Sequence, residues 1–106
     1  MQYLRLKKNG DFLKLFKKGK KVYSRSLTVI YSPAKDKCVM GIALNKKHGK
    51  AVKRNRIKRL IRAAFANNLG ALTQNYRMVI MPRVMDEYTY ADIEKSLIYC
   101  FKRFEK

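Results

Sequence analysis

The sequence predicts an α+β protein: a two-layer α/β sandwich in which one small sheet packs against helices, in the order α-β-β-β-α-β-α. Two observations lead there. Apolar residues recur at helical spacing in some segments and in short alternating or continuous runs in others, and the two kinds are interleaved along the chain. The chain is also short, at 106 residues with 47% hydrophobic content, which suits one domain over residues 1–106 with a modest core.

Met1 to Lys8 read as a short basic lead-in. Asn9 or Asp11 is placed to cap a first helix, in which Phe12, Leu13, Leu15 and Phe16 fall at helical spacing and Gly19 marks the stop. Val22 to Ser24 and Leu27 to Ser32 read as extended. Leu27, Val29 and Tyr31 alternate with Thr28 and Ile30, so both faces of that strand are expected to be partly buried. Ser32 to Lys37 supplies a turn around Pro33. Cys38 to Asn45 is nearly continuous in apolar residues, as expected of a central strand. The longest helix is predicted from about Lys50 to Asn68, with Gly70 as its stop. Tyr76 to Pro82 is a fourth strand. Thr89 then opens a closing helix with Asp92 three residues on, and Ile93, Leu97, Cys100, Phe101 and Phe104 form its apolar stripe. The strand from Cys38, the long helix and the strand from Tyr76 form a crossover unit; ordinary connections of this kind are right-handed.

The charge balance narrows the function. Lys and Arg total 26 against 7 Asp and Glu, a formal net charge of +19. Solubility needs a magnitude of only about 2–8, and the excess self-repulsion calls for a polyanionic partner. No acidic residue occurs from Lys37 through Met85, and the bases of that stretch concentrate between Lys46 and Arg62. Cys38 and Cys100 form no C-x-x-C pair and His48 is the lone histidine, so zinc ligation is not expected and two buried reduced thiols are. The absence of a signal-like start and of a long apolar run points to a cytoplasmic protein.

The segment Lys46-Lys47-His48-Gly49-Lys50-Ala51-Val52-Lys53-Arg54-Asn55-Arg56-Ile57-Lys58-Arg59-Leu60-Ile61-Arg62 carries most of the functional information. On a helical wheel Ile57, Leu60, Ile61, Ala64 and Phe65 gather on one face, and Asn55, Arg56, Lys58, Arg59 and Arg62 spread over the opposite arc. An ordinary solvated face would carry acidic residues at i,i+4; this one has none. Phosphates would relieve the repulsion, and the planar arginine fork suits bidentate phosphate contacts. Gly49 allows a sharp entry to the helix, whose first-turn N–H groups add an anion site.

This run, with its Arg54-Asn55-Arg56 core followed by Lys58-Arg59, resembles the signature of the bacterial ribonuclease P protein component. The resemblance extends to the leading L-K-K-x-x-D-F with Phe16 following, to Tyr31 late in a strand and to the short closing helix. Asn45 stands where the family often has Ser before the Lys-Lys pair. The resemblance implies a left-handed crossover around the long helix. It implies that Lys50, Lys53, Arg54, Asn55, Arg56, Lys58, Arg59 and Arg62 bind the catalytic RNA subunit. It implies too that Phe12, Phe16, Tyr31 and Lys47 line a cleft for the single-stranded 5′ leader of precursor tRNA. Aromatic platforms with cations are what a single strand needs.

The same resemblance assigns hydrolysis, with magnesium, to the RNA subunit. The residues agree, because the basic half has no clustered carboxylates for a two-metal nuclease and His48 has no partner base. No metal or other cofactor held by the protein, no catalytic side chain and no small-molecule substrate are expected. A small ribosomal protein would fit the size and charge but not the Arg-Asn-Arg segment with its flanks. A helix-turn-helix DNA binder would need two short helices rather than strands before the long helix. A membrane-surface binder would need the apolar face that the core requires.

Overall fold

The computed structural model describes residues 3–6, 9–35 and 37–104. The caps expected at Asn9 or Asp11 rest on side chains outside the described set, as do Lys7 and Lys8 of the lead-in and Asp36 of the turn. The elements run β1 (Leu4–Arg5), α1 (Asn9–Lys18), β2 (Lys20–Tyr23), β3 (Leu27–Pro33), β4 (Val39–Ile42), α2 (Ala51–Asn68), β5 (Tyr76–Pro82) and α3 (Tyr90–Lys102). Short 3-10 turns at Lys46–His48 and Leu69–Ala71 flank α2, so Gly70 lies in a tightening turn rather than just past the helix.

Among the described residues five strands form one sheet in the order β1-β4-β5-β3-β2. β4 and β5 are parallel neighbours joined through α2, the expected crossover unit, while β3 is antiparallel to both β5 and β2. β1 is the element that the sequence reading lacked. It pairs in parallel with β4, Leu4 beside Val39 and Arg5 beside Met40. The Leu4 N–H donates to the Cys38 carbonyl at 2.8 Å and the Leu6 N–H to the Met40 carbonyl at 3.1 Å. Two residues are too few to show a period, so only the partner strand reveals it.

Strand alternation sorts the side chains into two cores. Leu27, Val29 and Tyr31 of β3, Met40 of β4, and Met78 and Ile80 of β5 face Ile57, Ile61, Ala64 and Phe65 of α2 and Ile93, Leu97 and Cys100 of α3. Ile30 and Val79, paired across β3 and β5, face the other way and pack with Leu6 and Leu15, under α1. Helices therefore cover both faces of the sheet, α2 and α3 over the larger core and α1 over the smaller. Burying Ile57, Ile61 and Phe65 stabilises by about 1.5–3 kcal/mol each. That exceeds the few tenths per like-charge pair that the outer face of α2 loses, so the helix holds with its cations outward. Thr89 caps α3 by accepting the Asp92 N–H at 3.2 Å.

Candidate nucleic-acid interface

The basic helix is aimed by the loop that precedes it. The Asn45 side-chain oxygen accepts the Lys47 N–H at 2.8 Å, and the Asn45 N–H donates to Nδ1 of His48 at 3.1 Å. The buried His48 ring then reaches β5, where Nε2 donates to the Pro82 carbonyl at 2.7 Å. That bonding pattern assigns the ring proton to Nε2. With both nitrogens engaged and the ring buried, His48 braces the loop against β5. Gly49 has φ +104°, a conformation suited to glycine, and α2 begins two residues later.

On α2, Asn55, Arg56 and Arg59 are exposed, and Lys53, Arg54, Lys58 and Arg62 are half-buried at the flanks. Lys50 is exposed at the N-cap and makes no side-chain cap, which leaves the first-turn N–H groups without that acceptor. The first turn has no acidic residue and the last turn no basic one. This placement opposes the helix dipole, which favours anions at the N-terminus and cations at the C-terminus. A helix selected for stability alone would carry the reverse. An external polyanion lying along the first three turns would satisfy the N–H groups, the dipole and the side chains together.

The two flanks differ. On one, the Lys53 ammonium donates to the Met85 carbonyl at 3.3 Å and lies 5.8 Å from the centre of the Tyr88 ring. On the other, Arg54, Asn55 and Lys58 line a depression with Ile42 and Leu44. A second depression, sharing Ile42 and Lys58, continues past Gly41 to Arg5, Arg62 and Phe12. The cations of α2 and the aromatic edge of α1 thus meet along the β4 border of the sheet. The Nε of Arg54 is buried there without a hydrogen-bond partner. An unmet buried donor costs about 1–3 kcal/mol.

Of the four expected cleft residues, three lie on accessible surface. Phe12 is half-buried above Gly41, where a Cβ would come within 2.8 Å of its ring. Phe16, one turn on, is 39% exposed, and Lys47 is exposed on the turn before α2. Tyr31 is corrected. It is 2% exposed, on the opposite face of the sheet from α1, stacked on Phe104 with ring centres 4.0 Å apart. It cannot meet Phe12 and Phe16, because successive strand residues face opposite ways; the residue that faces α1 is Ile30.

Sequence reasoning also missed Arg5 and Gly41 at the β4 border and the bracing contact from His48 to Pro82. Gly41 carried a usable signal, as a lone glycine inside an apolar strand often marks a close approach. The other two depend on pairings distant in sequence. Among the described residues, no group of three His, Cys, Asp or Glu is arranged to hold a metal ion. Cys38 and Cys100 are free and buried, and burial pushes the Cys100 thiol up from its ordinary pKa. No helix among the described residues is long and apolar enough to cross a membrane.

Comparison with known proteins fits this geometry. The family model for Ribonuclease P matches residues 1–105. The ribonuclease P protein component of Bacillus pumilus is 41% identical over 103 residues, covering 93% of this chain and 86% of that protein. The solved RNase P protein from Thermotoga maritima superposes with a TM-score of 0.85 at 30% identity, covering 96% of this chain and 98% of that one. That of Staphylococcus aureus gives 0.83 at 33% identity, covering 95% and 94%.

Proposed function

Because this chain belongs to the ribonuclease P protein family, we propose that its α2 face binds the catalytic RNA subunit while its α1 side holds the single-stranded 5′ leader of precursor tRNA. As a ribonuclease P protein component it is part of an endoribonuclease ribonucleoprotein with an RNA subunit as partner. Lys50, Lys53, Arg54, Asn55, Arg56, Lys58, Arg59 and Arg62 are the residues proposed to meet the catalytic RNA. Phe12, Phe16 and Lys47 are those proposed to meet the leader. Tyr31 is withdrawn from that set.

The observation that carries the reading is the acid-free cationic half of α2, set against its own helix dipole and held outward by a buried apolar face. Its work is electrostatic. The cations offset phosphate repulsion where two large RNAs approach, and the aromatic edge grips the leader by stacking. Hydrolysis and the magnesium it uses are assigned to the RNA subunit, and the site of action to the cytoplasm. The protein raises substrate affinity and supplies no catalytic side chain.

Reconstitution tests the reading. Added to a bacterial catalytic RNA at low magnesium, the protein should restore cleavage of precursor tRNA at the mature 5′ end. The R54A/R56A/R59A variant, folded as judged by circular dichroism, should restore little. Equal stimulation by both proteins would refute the assignment to α2.

A further inference from the structure

A further cavity lies away from both surfaces just described. It is about 490 Å³ and sits between the β2–β3 hairpin, the start of the loop after β5 and the first three turns of α3. That is ample for one nucleotide, as ligand pockets run from about 300 to 1,000 Å³. Tyr23, Arg25, Arg83, Asp92, Lys95 and Tyr99 contribute to its walls, three cations against one carboxylate. β2 and β4 lie on opposite sides of the β5–β3 pair, so this cavity and the β4 border are separate sites.

The cavity is built, not merely lined. The Ser26 N–H donates to the buried Ser96 hydroxyl at 3.1 Å and ties the hairpin to α3. The Arg83 N–H donates to the Ser26 carbonyl at 2.9 Å, and its Nε to the Ser24 carbonyl at 3.0 Å, which fixes the guanidinium at the wall. Two tyrosines are left outward at this rigid rim, Tyr23 at 61% exposure and Tyr99 at 44%. The Arg103 guanidinium lies 4.0 Å from the centre of the Tyr99 ring and orients it. Exposed tyrosines beside fixed cations offer a base a stacking surface and its phosphate a charge partner.

We infer that this cavity is a second RNA site that takes one unpaired nucleotide, its base against Tyr99 or Tyr23 and its phosphate on Arg25 and Lys95. Asp92 argues against a bare phosphate. A carboxylate accepts hydrogen bonds, and a nucleotide brings donors for it in its ribose hydroxyls and base amino groups, which leave its phosphate free for the cations. The inference rests on the reading of the chain as an RNA-binding subunit and extends it to the far edge of the sheet. An RNA strand on this site and another on α2 would be held by one small protein.

Amide chemical shifts of the full chain, titrated with adenosine 5′-monophosphate and separately with inorganic phosphate, test it. The nucleotide should shift Tyr23, Arg25, Lys95 and Tyr99 saturably, and phosphate at equal concentration should not. R25A/K95A removes two exposed side chains and leaves the core intact. It should weaken nucleotide binding tenfold or more, as should Y99A. Equal shifts with phosphate, or unchanged affinity in R25A/K95A, would overturn the site. In the assembled system, weaker binding by R25A/K95A to the catalytic RNA alone assigns the nucleotide to that RNA. A loss seen only with precursor tRNA assigns it to the substrate, and no loss with either overturns the RNA role. Failure here leaves the α2 reading standing, because R54A/R56A/R59A tests that face separately.

Discussion

Tyr31 and Phe16 show how one residue's direction decides its role. Both are aromatic and both resemble cleft residues of the family, yet only Phe16 points to solvent. Tyr31 is stacked on Phe104 and edge-on to Tyr76 in the larger core. Y31A should therefore cost about 3–5 kcal/mol in a denaturant melt, as large-to-small core substitutions do. F16A should barely move stability. Instead it should weaken binding of tRNA that carries a leader by about 1–3 kcal/mol, the worth of one stacked base, with little change for mature tRNA. Equal losses for the two tRNAs would return Phe16 to a packing role. The alternation of Leu27, Val29 and Tyr31 against Ile30 was legible in the sequence. Which face lies under α1 was not, because that depends on how the strands are ordered.

At the scale of elements, α2 was legible nearly end to end. Its apolar residues repeat at helical period, and a glycine stands where the chain must turn with φ +104°. Its aim was not legible. The His48–Pro82 contact joins residues 34 apart and depends on β4 and β5 lying side by side. β1 was hidden for the same reason, since its identity comes from its partner. The loop yields a stability prediction. N45A removes the acceptor of the Lys47 N–H and should lower stability by about 1 kcal/mol, as loss of a cap does. N45S should recover most of it, because a serine hydroxyl can accept the same N–H. Thermal melts of the three proteins check this, and an unchanged melting temperature in N45A would show that the His48 bridge suffices alone.

The whole molecule is a compromise between a sheet covered on both faces and a net charge of +19. Charge of one sign destabilises the compact state through self-repulsion and draws it to a polyanion. Added salt should therefore act in opposite directions on two properties. Between about 0.05 and 0.3 M, the melting temperature of the free protein should rise as repulsion is screened, while affinity for RNA falls as counterion release loses its advantage. A melting temperature that fell with salt would mean that unseen ion pairs dominate the fold.

The central claim is that the outer face of α2 meets RNA phosphates. The salt dependence of affinity for the catalytic RNA tests it most directly, because each neutralised phosphate adds about 0.7–0.9 to the slope of log K against log salt. The R54A/R56A/R59A protein should bind more weakly and with a slope shallower by about 2–3 than the wild-type chain. Weaker binding with an undiminished slope would mean that these arginines act through the fold and not through phosphate contact.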